Sequence, residues 1–138
     1  MAKDFYHEHV REALEKSGWT ITHDPYKLLT EIMKYEVDYG AEQLFAAENG
    51  PEKIAVEVKN FLSPSKVNEL HKTVGQYIDY VVALELQEED RSLFIAIPRL
   101  AWRTFFQREP VQLSLQRINA RIMVFDEQEK TIVEWISM

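Results

Sequence analysis

The stretch that decides the fold lies near the middle of the chain and reads Lys53-Ile54-Ala55-Val56-Glu57-Val58-Lys59. Its aliphatic positions recur with a period of two, which is typical of a β-strand. Ile54, Val56 and Val58 are expected to face a core. Glu57 and Lys59 share the opposite face, where two strand steps place them roughly 7 Å apart. The alternation therefore predicts a strand that holds a carboxylate and an ammonium group side by side.

A turn signal before this strand predicts a β-hairpin. Asn49-Gly50-Pro51 is the clearest turn in the chain. Residues 35–48 are predicted to form the first strand of the hairpin, bent at Gly40, and residues 53–60 the second. If the turn centres near Gly50, simple counting places Glu42 almost opposite Glu57.

The segment after the hairpin predicts a crossover helix. Ser63 as a cap and Pro64 in the first turn mark a helix that runs to about Gln87. Residues 93–97 are apolar throughout, as in a strand buried on both faces. Because a helix connects strands 53–60 and 93–97, these strands are predicted to be parallel.

The two ends of the chain complete an α/β pattern in one domain, residues 1–138. The remaining predicted elements are a helix over 4–17, a strand over 19–23, short helices over 99–107 and 111–118, and a closing hairpin of 121–125 with 131–136. Their order predicts a mixed sheet with helices on its faces. The closing hairpin has apolar residues of both parities, which predicts a protein–protein interface near Trp135.

Composition limits the class of protein. The chain has 138 residues, no cysteine and a net charge of −7. These values exclude a disulfide scaffold and argue against a protein that coats nucleic acid through its overall charge. The absence of an apolar run of about 20 residues predicts a cytoplasmic protein.

One stretch of the chain is basic despite the overall charge. Residues 99–121 contain a single acidic residue and five arginines: Arg99, Arg103, Arg108, Arg117 and Arg121. Two interpretations remain open, a solvated helix face and a surface that binds DNA phosphates.

The pair on the central strand suits metal-assisted hydrolysis of a phosphodiester. Glu57 would help to hold a hard cation such as Mg²⁺, and Lys59 would orient water or stabilise charge on phosphorus. Such a site needs a second carboxylate. Register favours Glu42, whereas a bulge near Gly40 would bring Asp38 closer. The alternative interpretation is an exposed salt bridge without catalytic function.

Several segments together resemble a known family. The pattern Asp38…Glu57-Val58-Lys59…Gln76-x-x-x-Tyr80 is similar to the PD-(D/E)XK nuclease superfamily, and the chain resembles the XisH family more closely. That family comprises controlling factors for excision of the fdxN DNA element in heterocyst-forming cyanobacteria. The segments that carry the resemblance are His7 and residues 18–25, 37–42, 54–59, 75–77 and 133–136.

The resemblance implies a restriction-endonuclease-like core and a magnesium site. It makes Asp38 and Glu57 the metal carboxylates, with the Val58 carbonyl as a further ligand and Lys59 as the catalytic lysine. Three carboxylates crowded there (Asp38, Glu42 and Glu57) predict a raised pKa for at least one of them in the absence of a compensating cation.

The resemblance also implies supporting residues and partners. Gln76 and Tyr80 would support the site from a helix, and His7, Glu8 or Glu12 would take the place of a first-helix glutamate. The implied partners are DNA, a small XisI-like protein, a site-specific recombinase that acts beside them, and a possible second copy of the chain. An alternative is a non-catalytic regulatory protein that retains the nuclease fold.

Overall fold

A computed structural model of the chain describes residues 5–26, 44–87 and 89–138. In chain order its elements are α1 (His7–Lys16), β1 (Thr20–His23), β2 (Leu44–Asn49), β3 (Glu52–Val58), α2 (Lys66–Leu86), β4 (Ser92–Pro98), α3 (Arg99–Arg103), a 3-10 turn (Phe105–Gln107), α4 (Glu109–Arg117), β5 (Arg121–Asp126) and β6 (Thr131–Ser137).

The described strands form one six-stranded mixed sheet in the order β1-β2-β3-β4-β5-β6. The hairpin β2–β3 is antiparallel, as predicted from its turn. The strands β3 and β4 are parallel, which confirms the prediction from the crossover helix, and β5 also runs parallel to β4. The closing hairpin β5–β6 is antiparallel. The predicted α/β class, a mixed sheet flanked by helices, is therefore confirmed.

Each face of the sheet is covered by a separate core. On one face, α1 contributes Val10 and Leu14, which cluster with Val56, Val58 and other sheet residues. On the opposite face, α2 and the short helices cluster with the alternate positions of the same strands. The central strands are consequently buried on both sides, as predicted for residues 93–97.

The two cores also explain the apolar residues of both parities in the closing hairpin. Ile122 and Val124 of β5 belong to one core, whereas Met123 and Phe125 belong to the other. On β6, Trp135 stays 40% exposed although it contacts the rings of Phe94 and Trp19. The apolar residues on both faces of β5 are explained by the two cores of the chain itself. An interface near Trp135 therefore remains a prediction.

One predicted boundary needs adjustment, and another is tested only in part. The helix α2 begins at Lys66, where the Ser65 hydroxyl accepts a hydrogen bond from the Asn68 amide at 3.3 Å, so the cap is Ser65 and not Ser63. Of the predicted strand 35–48, residues 44–48 lie in β2; Gly40, with Asp38 and Glu42, lies outside the described residues. Within the described ranges, no helix is both long and apolar enough to cross a membrane.

Candidate active site at the end of strand β3

Glu57 and Lys59 lie together where β3 ends, as their spacing predicts. The Glu57 side chain is fully buried and the Lys59 side chain is 8% exposed. Lys59 Nζ lies 3.7 Å from Glu57 Oε1. The Lys59 amide donates a hydrogen bond to the Ala96 carbonyl at 3.0 Å, so the ladder to β4 continues past the last strand residue, Val58. This burial contradicts the alternative of an exposed salt bridge.

A second carboxylate reaches Lys59 from helix α2. Glu69 lies in the first turn of α2, and its Oε2 is 3.9 Å from Lys59 Nζ. The Ser65 cap fixes where that turn begins and thus which helix position faces the lysine. The sequence prediction missed Glu69. It is the first member of a polar stripe spaced by four, three and four residues, namely Glu69, Thr73, Gln76 and Tyr80.

The predicted helix pair lies on the side of α2 that faces the sheet. Tyr80 is buried, and burial together with the negative charge of nearby Glu57 raises the pKa of its phenol. Gln76 is half-buried, and its Oε1 has no hydrogen-bond partner among the residues that the structure describes. Thr73 is fully buried and donates to the Glu69 carbonyl at 2.8 Å. Tyr80 thus lies close enough to Glu57 for the carboxylate to influence its phenol.

The strand register does not decide which residue supplies the second predicted carboxylate. Leu44 pairs with Glu57, one residue from the position that a turn centred on Gly50 predicts. Asp38 and Glu42 both precede Leu44 and lie outside the described residues, so the choice between them stays a prediction.

His7 belongs to a separate polar group at the start of α1. His7 is buried and its Nε2 lies 2.9 Å from Asp24 Oδ1, while Arg11 donates to Asp24 Oδ2 at 2.7 Å. Ligand atoms of His7, Glu8 and Asp24 all lie within 4.8 Å of one another, and Glu8 is exposed. Two of the first-helix candidates, His7 and Glu8, therefore meet Asp24, and α1 packs on the face that carries Val56 and Val58.

The five arginines divide between two ends of the sheet. Arg99 and Arg103 lie in α3, which follows the carboxyl end of β4, and Arg108 precedes α4. Arg121 begins β5, which runs parallel to β4, and Arg117 ends the helix that leads back to this strand. Arg99 is also paired with Asp126 at 3.1 Å. Arg99 thus follows the carboxyl end of β4, whereas Arg121 lies near the start of the paired strand, and a surface that binds DNA phosphates stays a prediction.

The oxygen atoms that the structure places at the end of β3 are of the kind that a hard cation binds. Glu57 offers a buried carboxylate, and carboxylate and carbonyl oxygens are the ligands that Mg²⁺ prefers. Within the described ranges, Glu57 does not belong to a close group of three acidic or histidine ligands. Completing a site at Glu57 would require a further carboxylate such as Asp38.

The fold has close counterparts among known proteins. A buried acid–lysine pair ends the central strand of a mixed sheet and is supported by a polar helix face. Over residues 1–133 the chain matches the family model described as XisH protein. The chain belongs to the XisH family.

Two solved structures are similar over nearly the whole chain. An XisH family protein from Nostoc punctiforme is 35% identical, with a TM-score of 0.86 and coverage of 97% of this chain and 100% of that one. A protein from Anabaena variabilis described as an fdxN element excision controlling factor is 36% identical, with a TM-score of 0.85 and coverage of 96% and 98%. A comparison with curated proteins gave no match.

Proposed function

We propose that this protein acts on DNA during programmed excision of a genetic element, by metal-assisted hydrolysis of a phosphodiester. The observation that carries the proposal is Lys59, whose ammonium lies 3.7 Å from buried Glu57 and 3.9 Å from Glu69. Burying charged groups is costly, so a fold that does so at the end of a central strand favours a functional role. The similarity to an excision controlling factor supplies the biological setting.

The residues that would hold Mg²⁺ are Asp38, Glu57 and the Val58 carbonyl. When bound, the cation would generate a nucleophilic water and neutralise charge on the phosphate. Glu57 is preorganised for this role because its side chain is fully buried on strand β3, with Lys59 Nζ 3.7 Å from its Oε1. Tyr80 is buried near Glu57 and would help to keep bulk water from the carboxylate.

Lys59 would stabilise negative charge that develops on the phosphorus oxygens. Its ammonium group is a compact charge with three donors, which suits a phosphate oxygen or an attacking water. Glu69 acts as a positioning residue: it keeps the ammonium at the mouth of the site until a phosphate takes over the contact. Glu69 is suited to this because its side chain is 20% exposed, whereas that of Glu57 is fully buried.

The DNA backbone would approach the end of the sheet where β3 and β4 finish. Arg103 and Arg108 are exposed there, whereas Arg117 and Arg121 lie toward the other end. Replacing Arg103 and Arg108 by alanine should weaken DNA binding and lower the salt dependence by about one unit for each phosphate contact. The matched Arg117 and Arg121 double variant should bind DNA like the wild type.

The alternative function is a regulatory protein that brings a recombinase to DNA through a XisI-like partner. The net charge of −7 and the neutralisation of Arg99 by Asp126 favour it, because both weaken direct binding to phosphates. In this alternative the charged pair at Glu57 and Lys59 would persist without chemistry.

Excision of the element in cells separates the two functions. Lys59→Ala is compared with Lys53→Ala, which changes an exposed lysine of the same strand. Joined chromosomal ends are quantified by PCR. The hydrolysis proposal expects excision to fall by about a hundredfold or more with Lys59→Ala and to persist with Lys53→Ala. Full excision by a folded Lys59→Ala variant would refute hydrolysis and favour the regulatory role.

A further inference from the structure

Helix α2 carries a second apolar surface on the side that faces away from the sheet. Val67, Ile78, Val82 and Leu86 are all exposed there, although residues such as Tyr77 and Leu84 already bury the opposite side. A helix at the surface of a globular protein normally has one apolar stripe, toward its own core. We call the residues His71, Gly75, Ile78 and Val82 the outer stripe of α2.

The outer stripe has the spacing of a helix–helix contact. Its members follow one another by four, three and four residues, the a/d pattern of a coiled-coil seam. The helix has 21 residues, and Gly75 lies one position before its midpoint. An exposed glycine in the middle of a helix destabilises it relative to alanine, so its presence needs a reason.

The chain itself gives no steric reason for that glycine. A Cβ built on Gly75 meets no atom of the described residues within 4 Å. A missing side chain does, however, allow another backbone to approach closely. Gly75 is thus suited to be the crossing point of two helices.

The charges beside the outer stripe indicate what the second helix is. Lys72 and Asp79 are exposed and one heptad apart, so they lie on the same flank of the stripe. In an antiparallel crossing near Gly75, Lys72 of one copy meets Asp79 of the other, and the twofold axis repeats the pair. In a parallel crossing this flank would face the opposite flank of the partner helix, so Lys72 and Asp79 would not meet.

A cleft next to the outer stripe adds apolar surface. It has a volume of about 300 Å³, shares Ile78 and Val82 with the stripe, and extends to Arg117 and Ile118 at the end of α4. An apolar side chain from an opposing helix fits such a cleft better than water does.

We propose that two copies of this chain associate through the outer stripe, with α2 packed antiparallel against α2 near Gly75. This interface is independent of the proposed chemistry, since Gln76 and Tyr80 lie on the sheet-facing side of the same helix. It also differs from the interface predicted near Trp135.

Sedimentation of the purified full chain tests the location of this interface. Val82→Glu is paired with Val133→Glu, because these valines are 45% and 47% exposed on α2 and β6. We expect a wild-type dimer, a dissociation constant raised at least about tenfold by Val82→Glu, and no change with Val133→Glu. A wild-type monomer at all accessible concentrations would overturn the proposal, as would a dimer broken only by Val133→Glu.

Two further substitutions test the crossing geometry, with circular dichroism as a check of folding. Gly75→Leu adds a side chain into open space in the single chain but blocks the crossing, so it should give a folded monomer. Asp79→Lys should weaken the dimer about tenfold, and Lys72→Glu added to it should restore the affinity to within about threefold. A dimer unaffected by Gly75→Leu, or one not restored by the double reversal, would contradict the antiparallel α2 contact.

Discussion

Strand β3 buries side chains on both of its faces, and the two faces have opposite chemistry. Toward α1 it presents Val56 and Val58 to an apolar cluster. Toward α2 it presents Glu57, followed by Lys59 beyond the end of the strand, and both are buried. The residues on the two faces thus share one strand and similar burial. The faces differ in whether their side chains can take part in chemistry.

The apolar face contributes stability without chemical function. Its contacts are dispersion and removal of apolar area from water, which require no partner of matching charge. The polar face must offset the desolvation of a carboxylate and an ammonium. An apolar pair of similar volume has no such cost and would stabilise the fold at least as well. The comparison therefore predicts that stability and function separate between the two faces.

The largest expected loss of stability comes from the apolar face. Phe125 on β5 is fully buried in the apolar cluster that covers this face, and its ring centroid lies 5.6 Å from that of Tyr6. Phe125→Ala should lower the free energy of unfolding by about 3–5 kcal/mol through lost transfer energy and a residual cavity. Urea unfolding measures this as a lower midpoint at an unchanged slope. A loss below about 1 kcal/mol would show that this face is loosely packed.

The polar face should give the opposite result. Removing both charges in the double variant Glu57→Leu and Lys59→Met should leave the free energy of unfolding unchanged or raise it by up to about 2 kcal/mol. Excision should nevertheless be lost. A control variant, Lys53→Met, changes an exposed lysine of the same strand and should affect neither quantity. A double variant that fails to fold would show that the charged pair is structural.

Much of this fold was predictable because its signals are local. The turn at Gly50, with its left-handed backbone, and the alternation around Glu57 led directly to the hairpin. The crossover between β3 and β4 followed from the handedness and length of such connections. The helix cap was placed two residues early because Ser63 and Ser65 are equally good caps in sequence. Only the three-dimensional path of the loop decides between them.

The candidate site was less predictable because it depends on contacts between distant elements. Glu57 and Lys59 follow from strand periodicity alone. Predicting Glu69 would have required knowing which side of α2 faces Lys59. The polar stripe from Glu69 to Tyr80 indicates that side only when the start of the helix is known. The five arginines were predicted as one group from their density, whereas parallel β4 and β5 place the two ends of that segment at different ends of the sheet.

The smallest effect that distinguishes the faces is the response to alkaline pH. Tyr80 on the polar face has a pKa raised by burial and by Glu57, and burial with the hydrogen bond to Glu89 raises the pKa of Tyr26 to about 12. The folded state therefore holds both phenolic protons more tightly than the unfolded chain, whose tyrosines ionise near about 10. Their contribution to stability is complete below that pH and declines as pH rises through the folded pKa.

Tyr80→Phe should consequently remove part of this decline. Above about pH 10 the wild type should lose roughly 1.4 kcal/mol per pH unit for this one proton, and the variant should lose correspondingly less. Chemical unfolding at pH 9 to 11 measures the difference in slope. Tyr26→Phe should reduce the decline in the same way, because burial and the hydrogen bond to Glu89 raise the pKa of Tyr26 as well. Identical slopes for wild type and Tyr80→Phe would mean that the folded state holds this proton no more tightly than the unfolded chain, which would contradict burial of the phenol on the polar face.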